Sequence, residues 1–212
     1  MTDVDAAAPG LRERKRLATR RAIQIAVLDL VSERGLDGVT VDEISRVADI
    51  SPRTFFNYFP SKEEAMLGDA PTVPPSEVVE RFVAGRASLL EDLARFLADA
   101  GDRAMRDAEM HYRRHALLKQ YPQLLAMRMA TMRQFENEVA EVVARRLVND
   151  DTDLTPGSEV VVDRARLVTL VAFATMRHAW LSWGAGEPSS DLSEKLVESF
   201  AVLRDMFASE AA

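Results

Sequence analysis

The 212-residue sequence contains no cysteine, which excludes disulfide bonds, cysteine-ligated zinc sites and thiol nucleophiles. It is also poor in backbone breakers, with nine glycines and nine prolines. The composition is otherwise 47% hydrophobic and 29% charged, which provides enough apolar material for a sizeable core. Because Ala, Leu, Val, Arg and Glu dominate the remainder, we expect a mostly helical globular protein.

Long apolar runs are absent as well. The longest, residues 167–176, is far shorter than the roughly 18 residues that a membrane span needs, and Arg166 and Arg177 flank it. The first ten residues are acidic and contain no apolar segment, so the sequence predicts neither a signal peptide nor a membrane protein. Together with the lack of cysteine, this pattern favours a cytoplasmic location.

The charge is unevenly distributed along the chain, and its most basic segment lies in the first third. The net charge is −7, yet residues 12–62 carry +3 (ten basic and seven acidic) and residues 63–212 carry −8 (17 basic and 25 acidic). The segment RERKRLATRR, residues 12–21, holds six basic side chains against one glutamate. A basic N-terminal segment on an otherwise acidic protein indicates that this segment binds a polyanion. A solvated helix face would give the same run of basic residues.

Apolar periodicity predicts about nine helices and no strand. The first runs from about 12 to 34 and ends at Gly35. Three short helices then follow the capping residues Thr40, Ser51 and Ser61. Beyond the breaker cluster APTVPP at 70–75, long helices are predicted at about 76–100 (closed by Gly101), 102–119, 122–148, 158–184 and 190–208, with a polar loop over 149–157. We therefore expect an all-α protein with a disordered tail over 1–11, one domain over 12–69 and a second over 70–212.

Two short helices after a basic helix form a helix-turn-helix pattern. Thr40 and Glu43 make a capping box for the first, and Ser51 followed by Pro52 opens the second. The second helix carries polar and aromatic side chains that could face outward. By pattern alone, an ordinary corner of a helical bundle is about as good an interpretation.

The stretch from Thr40 to Leu67, TVDEISRVADISPRTFFNYFPSKEEAML, resembles the DNA-binding domain of the TetR/AcrR family of transcriptional regulators. The capped second helix, the S-x-x-T start of the recognition helix, its aromatic pair and the F-P-S-K-E-E that follows carry the resemblance, which covers about residues 14–67. It implies a three-helix helix-turn-helix domain followed by a helical ligand-binding and dimerisation domain. It also implies a homodimer on a palindromic operator of double-stranded DNA, usually a repressor released by a small ligand.

Three residues depart from the family pattern, Asp49, Phe56 and Tyr58, the last of which stands where the pattern has histidine. Asp49 stands in the turn where the family often has glycine, and aspartate tolerates a left-handed backbone. Phe56 stands where the family usually has a phosphate-contacting tyrosine and has no hydroxyl. We expect Phe56 in the core, with contact to a thymine methyl group as the alternative, and Tyr58 could bind a phosphate in its place.

The resemblance assigns roles on the DNA side. Arg53 is the first candidate for reading a base, because a guanidinium can bind guanine O6 and N7 together. Lys62, with the N-terminal amides of its helix, is expected to meet a phosphate, whereas Arg16 is as easily explained as a solvated side chain. The predicted DNA-binding set is Arg16, Thr40, Ser51, Pro52, Arg53, Thr54, Asn57, Tyr58 and Lys62.

The histidines support an alternative from another class. His111 and His115 are four residues apart, a spacing that can place two metal ligands on one helical face. Two ligands do not make a metal site, and the paired E-x-x-H motifs of a di-iron bundle are missing. We predict no metal and no cofactor, and keep a helical-bundle metalloenzyme or small-molecule carrier as the alternative. A third reading is a structural DNA binder that needs no ligand.

The second half of the chain is rich in methionine and aromatic residues. They could simply pack in the core, but adaptable methionine surfaces also suit a pocket for a large apolar molecule. We expect a hydrophobic effector with one polar or anionic end. The pocket candidates are Met105, His111, Tyr112, His115, Arg128, Met132, Phe135, Met176, His178 and Trp180.

The last two predicted helices carry apolar stripes at the end of an acidic domain. We expect residues 158–208 to form a four-helix interface between two subunits. Leu196, Phe200, Leu203 and Phe207 should be divided between this interface and the core.

Overall fold

The computed structural model describes residues 10–69, 71–104, 108–183 and 192–208. These residues contain helices and no strand, which confirms the predicted all-α class. The chain divides into two compact units between Gly68 and Asp69. The helices of the described residues are α1 (Leu11–Arg34), α2 (Val41–Val47), α3 (Pro52–Tyr58), α4 (Lys62–Leu67), α5 (Ser76–Val83), α6 (Leu89–Ala104), α7 (Ala108–Gln120), α8 (Pro122–Asp150), α9 (Glu159–Trp183) and α10 (Leu192–Ala208).

Side-chain caps define where the short helices of the first unit begin. The Thr40 hydroxyl accepts from the Glu43 amide while the Glu43 carboxylate accepts from the Thr40 amide, which confirms the predicted capping box. The Ser51 and Ser61 hydroxyls accept from the amides three residues later. Asp49 has a φ of 53°, so the turn between α2 and α3 uses the left-handed backbone predicted for this aspartate.

The core of the first unit forms where α1 packs against α2 and α4, and α2 against α3. Its buried side chains come from all four helices, so the short helices are held by tertiary packing rather than by their own length. They include Ile23, Val27, Leu28, Ile44, Phe55, Phe59, Met66 and Leu67.

The second unit is a helical bundle in which α9 packs against α8 and α10, and α10 packs against α6. Helix α5 lies against α6 and α8. The core of this unit includes Phe82, Leu93, Leu97, Phe135, Val139, Val143, Ala172 and Phe200. None of the described helices combines the length and the apolar character that a membrane span would need.

The single helix predicted over 76–100 is wrong, because the chain breaks between α5 and α6. Arg146 of α8 fills the break: its guanidinium donates to the carbonyl oxygens of Phe82 (2.7 Å) and Ala87 (2.9 Å). A Cβ at Gly85 would overlap with the Arg146 guanidinium and the Asp92 carboxylate, so a larger residue there would have to displace this buried ion pair. The described residues therefore contain ten helices instead of about nine.

Gly101 does not close the helix before it, contrary to expectation. Helix α6 continues through it to Ala104, and a Cβ at Gly101 would meet nothing within 4 Å. Residues 102–104, predicted to begin the next helix, therefore belong to α6, and α7 is described from Ala108 onward. A glycine inside a helix costs only about 1 kcal/mol relative to alanine, which the surrounding packing can offset.

Candidate DNA-binding surface and effector cavity

Helix α3 has one buried and one exposed face. Phe55 and Phe59, four residues apart, are 0% and 2% exposed and fix the helix to the core. Pro52, Arg53 and Asn57 are exposed on the other side. The packing therefore leaves the predicted base-reading side chains directed toward solvent.

The C-terminal end of α3 is held by Arg20 from the basic segment of α1. The Arg20 guanidinium donates to the Tyr58 carbonyl oxygen at 2.9 Å and lies 4.1 Å above the Phe59 ring. This side chain is half-buried. Part of the basic run thus positions the recognition helix within the unit.

Two of the predicted DNA-binding residues, Thr40 and Ser51, are also helix caps, and a third, Thr54, bonds to the Ser51 cap. The Thr40 hydroxyl donates to the Glu43 carboxylate at 2.9 Å, and the Ser51 and Thr54 hydroxyls are 2.8 Å apart. The Thr40 amide and hydroxyl lower the pKa of Glu43 below its ordinary value. Thr40 and Ser51 are nevertheless exposed and Thr54 is half-exposed, so a contact with DNA remains sterically open.

Lys62 has partners that the sequence did not indicate. Its ammonium group donates to the carbonyl oxygens of Leu36 (2.7 Å) and Val39 (2.8 Å), which ties α4 to the segment between α1 and α2. An ammonium group has three N–H donors, and two of them are used here. The phosphate contact stays a prediction. Arg16 forms an exposed ion pair with Glu13 at 3.0 Å, and this hydrogen bond lowers the pKa of Glu13.

Phe56 is not part of the core, contrary to expectation. Its side chain is 57% exposed and touches the edge of Phe55, with ring centroids 5.5 Å apart. The core of the first unit already contains Phe55 and Phe59 from this segment, which leaves Phe56 on the outer face.

The second unit contains a cavity of about 450 Å³. Its wall is mostly apolar and comes chiefly from α6, α8, α9 and α10. The apolar members include Leu97, Met129, Met132, Phe173, Met176, Trp180 and Leu196. The charged members are Arg128, Arg133, Arg177 and Glu136, three cations against one anion.

Arg128 lies in this wall and donates to the Asp69 carbonyl oxygen at 3.0 Å. Burial lowers the pKa of its guanidinium, and the Asp69 charge offsets only part of that effect. The Arg128 side chain is half-buried, and a partly desolvated cation beside an apolar cavity attracts an anionic group more strongly than a fully hydrated one does.

Five of the ten predicted pocket residues line the cavity: His111, Arg128, Met132, Met176 and Trp180. Met105 lies outside the described residues. Arg133, Glu136 and Arg177 also line the cavity and were not predicted. The available signal was helical spacing, since each stands four residues after a wall residue: Met129, Met132 and Phe173 respectively.

Four of the predicted pocket residues lie off the described cavity wall. Phe135 is buried against Phe173 with ring centroids 5.5 Å apart, and Tyr112 meets the edge of Trp183 at 6.0 Å. His178 is exposed and shares a hydrogen bond of 3.1 Å with Ser199. His115 packs behind the wall, on the indole ring of Trp180.

His115 is 2% exposed and lies between two indole rings, 4.1 Å from Trp180 and 5.6 Å from Trp183. Burial lowers its pKa to about 4, and the nearby charge of Lys119 acts in the same direction. The imidazole is therefore neutral at pH 7. Among the described side chains, no three His, Cys, Asp or Glu residues come together as metal ligands would.

Helices α9 and α10 expose an apolar surface. Leu167 is 64% exposed, and the other large apolar members of this surface are Leu170, Val171, Leu181, Val197, Val202 and Met206. Leu196 and Phe200 are buried in the core, whereas Leu203 is half-buried. The Phe207 side chain lies outside the described part.

Comparisons with known proteins agree with this arrangement. Residues 26–66 match the model for bacterial regulatory proteins of the tetR family, and residues 87–208 match the model for the MftR C-terminal domain. The chain is 32% identical over 172 residues to the HTH-type transcriptional regulator TcmR of Streptomyces glaucescens, covering 74% of this chain and 73% of that protein. It is 28% identical over 191 residues to MftR of Mycobacterium tuberculosis, described as a mycofactocin biosynthesis transcriptional regulator, covering 90% and 91%.

Solved structures show the same fold. NalD of Pseudomonas aeruginosa, the secondary repressor of the MexAB-OprM efflux pump, superposes with a TM-score of 0.55 at 20% identity, covering 86% of this chain and 95% of that one. FadR of Bacillus subtilis in complex with stearoyl-CoA gives a TM-score of 0.50 at 16% identity, covering 86% and 96%.

Proposed function

The chain belongs to the TetR family of bacterial regulatory proteins, whose members are dimeric, ligand-responsive transcriptional regulators, and on that premise we propose how its two units act as a repressor. The first unit binds a palindromic operator. The second unit dimerises and holds a small apolar effector. The observation that carries the proposal is α3, which buries Phe55 and Phe59 and exposes Arg53 and Asn57 on its other side.

On the DNA, α3 enters the major groove and Arg53 binds a guanine. Asn57 and Thr54 contact neighbouring bases or phosphates, while Thr40, Tyr58 and Lys62 follow the backbone. Two such helices in a homodimer would reach half-sites roughly 34–36 Å apart or a multiple of this distance. The dimer forms through the exposed apolar surface of α9 and α10, which a monomer would leave in water. Binding to bacterial DNA places the protein in the cytoplasm.

The effector is a hydrophobic molecule with an anionic end, such as an acyl compound. The cavity volume of about 450 Å³ lies in the usual range for small-molecule sites, roughly 300–1,000 Å³. The methionine and aromatic side chains of its wall suit an acyl chain. Arg128, Arg133 and Arg177 would hold a carboxylate or phosphate through charge-assisted hydrogen bonds. The complex of FadR with stearoyl-CoA supports this chemical class.

The operator is obtained by selecting bound sequences from random DNA, and its affinity is then measured by fluorescence anisotropy. Decanoate, decanoyl-CoA and decanol, which share one acyl length, are added in parallel. We expect the two anionic compounds to raise the melting temperature and to lower operator affinity by about 5- to 150-fold, and the operator to lower their affinity by the same factor. Decanol should bind more weakly.

A matched pair of arginine variants tests the anionic end. Arg177→Met removes a cation from the cavity wall, and it should weaken decanoate binding by about tenfold without affecting decanol. Arg145→Met is the control. Arg145 lies on the surface of α8, pairs with Glu80 of α5 and is absent from the described cavity wall. Stabilisation by hydrophilic compounds alone, or ligand binding that leaves operator affinity unchanged, contradicts the proposal.

A further inference from the structure

Phe56 is the exposed aromatic side chain of the recognition helix. Its ring is 57% exposed, while Phe55 and Phe59 are almost completely buried. The edge-to-face contact with Phe55, at 87° between ring planes, holds one side of the Phe56 ring. The core therefore orients this ring without covering it. Because single exposed apolar residues are ordinary on protein surfaces, exposure alone assigns no role.

The neighbours of Phe56 provide the second observation. Arg53 lies one helical turn earlier and Asn57 is the next residue, and both are exposed. Residues three apart on a helix share a face and are separated by about 4.5 Å along its axis. The Phe56 ring thus lies beside the side chains expected to enter the major groove. Its separation from Arg53 along the helix is comparable to one or two base-pair steps of about 3.4 Å each.

The chemistry of the ring restricts what it can recognise. Phenylalanine has no hydroxyl, so it cannot hydrogen-bond a phosphate or the polar edge of a base. The major groove offers one apolar group, the 5-methyl of thymine, and phenylalanine is among the side chains that pack against it.

We propose that Phe56 is a specificity-determining residue that reads thymine, packing its exposed ring on the 5-methyl group within about two base pairs of the guanine bound by Arg53. The inference rests on the proposed function, since it needs α3 in the major groove. A buried methyl group is worth about fourfold in affinity. The loss of one methyl in each half-site should therefore weaken binding by about 15-fold.

The test removes the methyl group and nothing else. In the selected operator, each thymidine is replaced in turn by deoxyuridine, which pairs identically but lacks the 5-methyl. Anisotropy titrations of the full-length protein should find one thymine per half-site whose replacement weakens wild-type binding by about fourfold. Phe56→Ala and Phe56→Gln, each checked for folding by thermal unfolding, should bind both operators equally.

Val47→Ala is the matched control. Val47 is 55% exposed on the preceding helix, so its truncation removes an apolar surface side chain outside α3 and should leave the fourfold effect of deoxyuridine in place. The inference is overturned if no thymine near the guanine is sensitive, or if the Phe56 variants keep the full sensitivity. A wild-type protein with no sequence-specific binding at all would overturn the proposed function itself.

Discussion

Replacing Arg146 with methionine should destabilise the second unit by about 3–5 kcal/mol, the usual cost of removing one partner from a buried ion pair. Arg146 is 2% exposed and donates to Asp92 (2.9 Å) and Asp150 (2.7 Å) as well as to the Phe82 and Ala87 carbonyl oxygens. Burial alone would lower the pKa of Arg146, but the hydrogen bonds to the two aspartates outweigh it and raise the pKa above its ordinary value. The guanidinium is therefore charged at every pH at which the protein is studied.

The magnitude follows from what the substitution leaves behind. The Asp92 side chain is only 14% exposed, so its carboxylate would lose a charged partner where water is scarce. The Ala87 carbonyl oxygen would lose its Arg146 donor at about 1–3 kcal/mol unless water replaces it, whereas the Phe82 carbonyl oxygen would keep the Gly85 amide as a donor at 3.1 Å. Asp150 is 40% exposed and adds little, because solvent screens that pair. Methionine retains most of the apolar stem, so lost packing contributes a small part.

Urea unfolding of the full-length protein, followed by circular dichroism at one fixed protomer concentration, measures the difference. Arg145→Met is the control on the neighbouring position: its ion pair with Glu80 is exposed, so we expect a loss of at most about 1 kcal/mol. Gly85→Ala should also destabilise the protein, and by less in the Arg146→Met background than in the wild type, because part of the overlap is gone. Equal stability of the two arginine variants would refute this account of the break between α5 and α6.

Four further outcomes are expected. Arg53→Ala should cost about 1–3 kcal/mol on the cognate operator and relax preference at one position per half-site; uniform weakening on all sequences would make Arg53 a phosphate contact instead. Lys62→Met should lower the melting temperature, because the Leu36 and Val39 carbonyls lose their donor, and should reduce the salt slope by up to about 1.8 per dimer only if Lys62 also meets a phosphate. Leu167→Glu should halve the mass in light scattering toward the 23.6 kDa of one chain, and a wild-type mass of 23.6 kDa at micromolar concentration would contradict the dimer. The pKa of His115 is lowered to about 4, so the imidazole stays neutral in the folded protein while the unfolded chain takes up a proton below about pH 6.5. The free energy of unfolding should therefore fall as the pH drops from about 6.5 toward 4, by at most about 1.4 kcal/mol per pH unit. His115→Phe should flatten that part of the pH profile measured by urea unfolding.

Features that depend on neighbours in the sequence were predictable. The caps of α2, α3 and α4 each join residues three apart, so the local pattern contains all of the information. The left-handed turn at Asp49 depends in the same way on one residue and its position between two helices. The recognition helix and its exposed Arg53 follow from these local elements.

Features that depend on distant contacts were not predictable. The apolar pattern of 76–100 continues across Gly85, and the residue that breaks the helix, Arg146, lies far along the chain. Phe135 and Met132 occupy similar positions in the methionine-rich stripe, yet only Met132 lines the cavity. A helical period identifies the inward face of a helix, but it does not tell whether that face meets another helix or a space.

The basic segment shows how charge and architecture are connected in this protein. Arg20 donates to a backbone carbonyl 38 residues away, and Lys62 donates to two carbonyls that are 26 and 23 residues away. Arg16 and Arg34 pair with glutamates of the same unit. Arg20, Arg34 and Lys62 thereby join different segments of the first unit, so counting basic residues overstates the charge that is available to DNA. A unit whose residues 12–62 carry a net charge of only +3, attached to a strongly acidic body, gains little from non-specific attraction. Its selectivity then depends on the side chains that α3 places in the groove, where Arg53 and Phe56 stand on one rigidly anchored face.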